Sequence, residues 1–287
     1  MSTGPAGRVA RSTPVPNSET SRQAAIRTFL RTKDGVSIDS VYDPGEVVYK
    51  TESAPSRGLV FVIAHGFTGD VDRPHVRRVA KAFAQYGAVV TFSFRGHGRS
   101  GGRSTMGDKE VLDLAAAVQW ARGLGHARVV TVGFSMGGSV VLRHAALYGS
   151  RHEGRTEACT DAVVSVSAPA RWYYRGTAPM RRLHWLVTRP GGRLLSRYGL
   201  RTRIHHREWD PVPLSPVESV PLIAPTPLLI VHGDRDGYFP LDHPRMLAEA
   251  AGEHGELWLE PGMGHAENAA DEELLARIGR WGVRRAG

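Results

Sequence analysis

The chain has 287 residues, of which 41% are hydrophobic and 23% are charged, values typical of one soluble globular domain with a sizeable core. Its formal net charge is +9 at pH 7, but no nucleic-acid-binding motif accompanies this charge, so we expect no nucleic-acid partner. The single cysteine excludes a disulfide or a cysteine metal site within one chain. Since no run of about 18 apolar residues occurs, no transmembrane helix is predicted.

The N-terminal segment 1–25 is rich in proline, serine, threonine and arginine and contains no apolar stretch. A signal peptide needs such a stretch, whereas this composition is typical of a disordered tail. We therefore predict a disordered tail over residues 1–25 and a cytoplasmic protein.

After the tail, strand patterns alternate with patterns at helical spacing. Residues 26–44 predict a hairpin that turns at Asp34 and Gly35. The further elements are expected, in chain order, at strand 58–67, helix 75–87, strand 88–94, helix 108–125 with an aspartate cap, strand 128–134, helix 136–148, strand 161–167, strand 226–234, helix 243–252, strand 255–261 and helix 270–286. Strands that alternate with helices predict an α/β fold whose mostly parallel sheet has helices on both faces. Such sheets bind ligands at the carboxyl ends of their strands.

Two stretches fit the pattern G-x-S-x-G, which surrounds many nucleophilic serines. Residues 133–137 contain Ser135, and residues 98–102 contain Ser100. Only Ser135 directly follows a buried-strand pattern and directly precedes a helical one. A sharp strand-to-helix turn strains the serine backbone, exposes the hydroxyl and aims free amide groups of the new helix at the site. Ser100 lies between two loops, so we assign the nucleophile to Ser135.

A serine hydroxyl needs a base that takes its proton. If nucleophile, acid and base follow in that order along the chain, the base lies late. We favour His265, which lies on a loop between a strand and a helix. The other late histidines are His232 at a strand end, His243 at the start of an exposed helix and His254 before a strand.

The base in turn needs an orienting acid, which we expect after the strand 226–232. Residues 232–236 read HGDRD and offer Asp234 and Asp236. We favour Asp236, because it lies past the glycine turn and can curl back towards the loop of His265. Asp234 is placed to bond backbone amides within the turn.

Acyl transfer also needs donors for the oxyanion of the tetrahedral intermediate. The backbone amide of Met136 directly follows the nucleophile and begins a helix. The second donor is expected to be the amide of Phe67, in the loop after strand 58–64. The alternative for His65 and Gly66 in this loop is a plain turn.

Taken together, these motifs resemble the α/β-hydrolase superfamily over about residues 30–285. The matching motifs, in the order of the family, are HGF (65–67), FRGHGRSGG (94–102), GFSMGG (133–138), HGDRD (232–236) and GMGH (262–265). The chain is most similar to the monoacylglycerol-lipase-like and serine-aminopeptidase-like esterases, in which the acid matches the position of Asp236. The resemblance implies a twisted sheet of about eight strands, a structural loop around Ser100, and a serine esterase that forms an acyl-enzyme without cofactor or metal.

The resemblance also implies a small lid at residues 168–222, between core segments 26–167 and 223–287. Within it, residues 171–207 carry ten arginines and no acidic residue. These arginines can attract an anionic substrate or an anionic membrane surface; the alternative is a solvated face of an arginine-rich chain. The stretch 179–187 predicts a short amphipathic helix that ends at residues 190–192. We expect aromatic side chains of the lid to line the acyl pocket, namely Trp172, Tyr173 and Trp185.

Two further classes of function stay open on these residues. A thioesterase or an aminopeptidase could use the same serine, histidine and aspartate on another acyl substrate. A non-catalytic binding module on this fold is the alternative outside enzymes, and the complete set of Ser135, Asp236 and His265 argues against it. We therefore predict a serine hydrolase whose substrate is a small-molecule acyl ester.

Overall fold

The computed structural model describes residues 24–45, 58–149 and 157–287. Nearly all of the predicted tail, residues 1–23, lies outside these ranges. Within them, no helix combines the length and the apolar character that crossing a bilayer requires.

One eight-stranded sheet forms the centre of the fold, with the strand order β1-β2-β4-β3-β5-β6-β7-β8. The strands are β1 Ile26–Arg31, β2 Ser37–Asp43, β3 Leu59–Ala64, β4 Ala88–Phe92, β5 Arg128–Phe134, β6 Ala162–Val166, β7 Leu228–Gly233 and β8 Gly255–Glu260. Strands β1 and β2 form the predicted antiparallel hairpin, and β2 pairs antiparallel with β4. All other neighbouring strands are parallel. The mostly parallel sheet expected from the sequence is confirmed.

The central strands are buried because helices cover both faces of the sheet. The helices are α1 Pro74–Phe83, α2 Glu110–Gly123, α3 Met136–Tyr148, α4 Ala178–Thr188, α5 Pro190–Gly199, α6 Pro216–Ser219, α7 Asp242–Ala251, α8 Ala266–Ala269 and α9 Glu272–Arg285. Successive side chains of a strand point to opposite faces, so Val60 and Val62 pack in the core with α2, α3 and α7. Phe61 and Ile63 pack in the second core, with α1 and α9. The all-apolar sequence of β3 follows from this two-sided burial.

The predicted aspartate cap of α2 is wrong. Lys109 occupies the N-cap position, and its side chain makes no capping hydrogen bond. Glu110 organises the preceding loop instead, because its carboxylate accepts the backbone amide of Thr105 at 2.7 Å and that of Gly107 at 2.9 Å. Asp108 therefore stays outside the helix.

Residues 168–222, which we call the insert, connect β6 to β7 and contain α4, α5 and α6. Helix α4 ends before residue 190 as predicted, but Pro190 does not end the helical structure: it is the first residue of α5. Proline suits this position because the first amide of a helix has no internal acceptor. The insert is attached to the core by isolated bridges from Thr202 to His97 and from Ile204 to Ser104. It therefore lies against the loop that follows β4.

Candidate active site

Ser135 lies at the junction of β5 and α3, with backbone angles φ 52° and ψ −113°. A positive φ is strained for a residue other than glycine. Both flanking glycines are needed here for close approach: a Cβ on Gly133 would collide with the carbonyl of Gly137, and a Cβ on Gly137 with that of Ala64 in β3. The predicted strand-turn-helix geometry is thus present at Ser135.

His265 connects the serine to a carboxylate. Its Nε2 lies 2.9 Å from the Oγ of Ser135, and its Nδ1 lies 2.7 Å from Oδ2 of Asp236. A carboxylate only accepts hydrogen bonds, so Nδ1 carries the proton and Nε2 is left to accept the serine O–H. The ring of Tyr238 stacks on the imidazole at 4.2 Å between centroids. These contacts orient Nε2 of His265 towards the hydroxyl of Ser135.

The carboxylate of Asp236 is fully buried. Burial alone would raise the pKa of Asp236, but hydrogen bonds from His265 and from the Tyr238 amide lower it, and the net pKa lies below the usual value. The second oxygen accepts the backbone amides of Tyr238 at 2.8 Å and Phe239 at 3.1 Å. Asp236 is therefore ionised at neutral pH, where it can stabilise a protonated imidazole.

The other candidate acid and bases have separate partners. Asp234 accepts the backbone amide of Gly262 at 2.6 Å, on the loop after β8 and not within its own turn as expected. His232 is buried and donates from Nε2 to a backbone carbonyl at 2.9 Å. The expectation of an exposed helix start at His243 is wrong: this residue is fully buried, and its Nδ1 accepts the amide of Ala170 at 2.9 Å. Burial lowers the pKa of His243 to about 4, so it stays neutral at neutral pH.

Ser100, the second match to the serine pattern, is buried away from this cluster. Its hydroxyl donates to the carbonyl of Ser93 at 2.6 Å and accepts the amide of Asp39 in β2 at 2.9 Å. Both functions of the hydroxyl are thereby used within the fold. Ser100 joins the loop after β4 to the neighbouring strand.

The loop after β3 is the one expected to supply the Phe67 amide, with a plain turn at His65 and Gly66 as the alternative. It does form a turn, since the amide of Gly69 donates to the carbonyl of Gly66 at 3.0 Å. His65 Nε2 accepts the amide of Phe94 at 3.0 Å, so Nδ1 carries the proton and donates to the same Gly66 carbonyl at 2.7 Å. Burial holds the pKa of His65 well below its usual value and keeps the ring neutral.

Phe67 and Met136 line the same pocket as Ser135. In the parts of the chain that the structure describes, neither amide has a hydrogen-bond acceptor. Both are therefore available to a substrate oxygen. Glu267 is a neighbour that the sequence reasoning missed: its carboxylate accepts the amide of Gly66 at 3.0 Å. The only signal for it was an acidic residue two positions after His265.

A cavity of about 660 Å³ opens above Ser135. The insert supplies much of its wall, and the three aromatic residues expected there, Trp172, Tyr173 and Trp185, all lie in that wall. Such a size and an aromatic lining suit a small amphiphilic ligand. Within the described ranges, no group of three or more His, Cys, Asp or Glu side chains could hold a metal ion.

Comparison with known proteins identifies the family and the fold of the chain. The model of the alpha/beta hydrolase family matches residues 59–277. The chain is 28% identical over 270 residues to a monoacylglycerol lipase of Mycolicibacterium smegmatis, covering 82% of this chain and 89% of the lipase. An esterase of Pyrococcus furiosus superposes with a TM-score of 0.68 at 22% identity, over 92% of this chain and 94% of the esterase. A serine hydrolase without a lid, from Xanthomonas campestris, gives a TM-score of 0.59 at 20% identity, over 95% of this chain and 97% of that one. Both structures share the fold.

Proposed function

Because the chain belongs to the alpha/beta hydrolase family, we propose that it is a serine hydrolase that cleaves carboxylic esters through Ser135, His265 and Asp236. The observation that carries the proposal is the position of His265, which lies within hydrogen-bond distance of both the serine hydroxyl and the buried carboxylate. Nucleophile, base and orienting acid are the three groups that acyl transfer requires.

The reaction follows from the directions of these hydrogen bonds. Nε2 of His265 takes the proton of Ser135 as Oγ attacks the acyl carbon, and the negative charge moves onto the carbonyl oxygen. The amides of Phe67 and Met136 bind that oxygen. The ester bond then breaks, and the leaving alcohol takes the proton from Nε2. A water molecule, deprotonated by the same nitrogen, attacks the acyl-enzyme. As the bond to Oγ breaks, Nε2 returns the proton to Ser135, and the acid is released. Throughout both steps, Asp236 stabilises the imidazolium.

The substrate we propose is a small-molecule acyl ester, with the insert acting as a lid over the pocket. The aromatic wall contributed by Trp172, Tyr173 and Trp185 suits the acyl chain. Support comes from the M. smegmatis relative, which is a monoacylglycerol lipase. Thioesters and amides stay the alternative substrates, because they pass through the same tetrahedral oxyanion. We also predict a cytoplasmic location, the core and lid boundaries given above, and an attraction between the basic lid and an anionic membrane surface.

The test of this proposal compares the two serines that fit the same pattern. A fluorophosphonate probe should label the wild-type protein and Ser100→Ala but not Ser135→Ala, because only Ser135 contacts a base. Turnover should be measured with p-nitrophenyl esters of increasing chain length, an acyl-CoA and an aminoacyl amide. Full labelling of Ser135→Ala would refute the assignment, and a clear preference for the thioester or the amide would change the substrate class.

A further inference from the structure

Arginine dominates the charge of the pocket wall. Only one carboxylate, that of Glu208, lines the cavity. Six arginines line it, namely Arg171, Arg175, Arg181, Arg189, Arg193 and Arg207. Three of the six have partners in the structure. Arg171 pairs with Asp242 at 2.7 Å, while Arg181 and Arg193 donate to backbone carbonyls.

The remaining three lining arginines are Arg175, Arg189 and Arg207. Among the described residues, no salt bridge joins any of them to a carboxylate. Arg175 and Arg189 line the same cavity as His184. Its partial burial and the charges of these two arginines together lower the pKa of His184. Arg175 precedes α4 and Arg189 directly follows it, so the two unpaired guanidinium groups flank this helix in one cavity wall.

We propose that the unpaired arginines of the cavity wall bind an anion, and that the preferred substrate is therefore an ester that bears a phosphate or a carboxylate group. Arginine binds both groups through two parallel hydrogen bonds. A bound anion would offset the positive charge of this wall, and the apolar acyl chain would still face the aromatic side chains. This inference rests on the proposed esterase function, since it concerns the same pocket.

The test is a double charge reversal, Arg175→Glu with Arg189→Glu. Its matched control is Arg182→Glu with Arg197→Glu, which changes the net charge of the insert equally at exposed residues outside the pocket lining. Three substrates of similar acyl length should be compared: 1-decanoylglycerol, 1-decanoylglycerol 3-phosphate, and the mono-p-nitrophenyl ester of a ten-carbon dicarboxylic acid. The two anionic substrates separate a phosphate site from a carboxylate site.

For the pocket variant, kcat/KM for at least one anionic ester should fall roughly tenfold to a hundredfold, because charge-assisted hydrogen bonds are lost. Its kcat/KM for the neutral ester should change by less than about twofold, and the control pair should keep the wild-type preference. Equal losses in the control pair would assign the effect to the overall charge of the insert and overturn the pocket site. An unchanged preference in the pocket variant would overturn the inference and leave the esterase function standing. Wild-type protein that hydrolyses no ester would refute both.

A second inference concerns how the Phe67 amide is aimed. This amide belongs to the peptide unit whose carbonyl is that of Gly66, and the two groups of a trans peptide point in opposite directions. The Gly66 carbonyl is held by His65 and Gly69, as described above. The amide of Gly66, at the other end of the residue, is held by Glu267. Both sides of Gly66 are therefore fixed.

Glu267 is well placed to hold this loop rigidly. Only 4% of its surface is exposed, and a buried carboxylate must be hydrogen-bonded to be tolerated. Arg78 donates to its backbone carbonyl at 2.7 Å, which fixes its main chain. His75 Nε2 lies 3.8 Å from the carboxylate. Because Glu267 follows His265 by two residues, it ties the loop of the base to the loop of the oxyanion donor.

From this contact we infer that Glu267 is a positioning residue, which sets the distance between the Phe67 amide and Ser135. Glu267→Ala should lower kcat roughly tenfold with KM changed by less than about twofold, since a misplaced donor weakens binding of the transition state only. Affinity for a boronic acid transition-state analogue should fall in parallel. Glu267→Gln keeps an acceptor oxygen for Gly66 and should restore most of the lost rate.

The melting temperature of each variant separates positioning from general destabilisation. A kcat of Glu267→Gln as low as that of Glu267→Ala would overturn the inference, because the acceptor oxygen for the Gly66 amide would then have no effect on the rate. Wild-type kcat in Glu267→Ala would overturn it as well. In either case, retained fluorophosphonate labelling of Ser135 would leave the proposed esterase function intact.

Discussion

Asp234 and Asp236 lie two residues apart on one turn, yet their carboxylates contact different parts of the molecule. Asp236 reaches His265 and two amides of its own loop. Asp234 reaches the amide of Gly262, on the loop that leads to His265. The first contact bears on the protonation state of the base, whereas the second bears on the stability of the turn. Substitution of either residue by asparagine keeps the size of the side chain and removes the charge.

Asp236→Asn should lower kcat by roughly 10⁴-fold, the loss known for the equivalent change in a protease triad, because the amide no longer selects the Nδ1–H tautomer of His265. Asp234→Asn should keep most of the activity and lower the free energy of unfolding by about 1 kcal/mol through its weaker bond to Gly262. Steady-state kinetics and urea denaturation measure the two effects. If Asp234→Asn loses more activity than Asp236→Asn while its stability is unchanged, the roles of the two aspartates are reversed.

The proximity of Ser135, Asp236 and His265 could be predicted from the sequence, because each follows a strand and the carboxyl ends of parallel strands meet at one edge. The choice between the two aspartates needed only the position of the glycine turn. Glu267 could not be predicted in the same way, since its partner Gly66 lies 201 residues away along the chain. No local pattern reports a hydrogen bond between a side chain and a distant backbone amide.

At the scale of the elements, the turn between β5 and α3 packs α3 directly against β3. Gly137 lies in the first turn of α3, and a Cβ there would collide with the carbonyls of Ala64 and His65. Backbone atoms of a central strand cannot move aside cheaply, so this packing excludes any side chain at residue 137. Gly123, at the end of α2, offers a contrast, because a Cβ there would meet no atom within 4 Å.

Gly137→Ala should therefore lower the free energy of unfolding by about 1–3 kcal/mol, the usual cost of overpacking, and should also lower kcat by moving Ser135. Gly123→Ala, the same substitution in an open helix end, should be neutral or stabilise by up to about 1 kcal/mol. Chemical denaturation of the two variants checks both values. Equal stability in the two variants would show that the contact with β3 can relax.

The insert shows where prediction of elements from the sequence fails. The apolar pattern of 179–187 predicted one helix, and α4 is there, but α4 has no buried residue. Helix α5 begins one residue after Arg189 and was not predicted, since a Pro-Gly-Gly sequence is typical of a helix end. Only two residues of α5 are buried, Gly192 and Ser196. The apolar side chains of α5, Leu194, Leu195 and Tyr198, are exposed. The helix instead approaches α4 at Gly192, where a Cβ would collide with the backbone of Leu186.

For the molecule as a whole, alternating strands and helices were enough to predict the parallel sheet, but not the attachments at its edge. The hairpin of β1 and β2 is joined to the loop before α1 by one arginine. Arg27 donates to both oxygens of Asp39 at 2.8 and 2.6 Å and to both oxygens of Asp72 at 2.9 and 3.0 Å. No sequence pattern indicates this link, because its three residues are spread over a segment of 46 residues and come together only in the folded protein.

This link should make the stability of the whole protein depend on pH in the acid range. Hydrogen bonds from Arg27 lower the pKa of Asp72 to about 2, below an unfolded value of about 4. A lowered pKa in the folded state means that the stabilisation is complete above about pH 4 and is lost as the pH falls towards 2. Asp72→Asn should be less stable than the wild type at pH 7, and the difference should shrink between about pH 4 and 2.

Glu249→Gln, which removes one exposed charge that has no ion pair among the described residues, should show no such trend. Melting temperatures measured by calorimetry across this range decide the point: a constant gap between wild type and Asp72→Asn down to pH 2 would show that ionisation of Asp72 is not the source of the stabilisation.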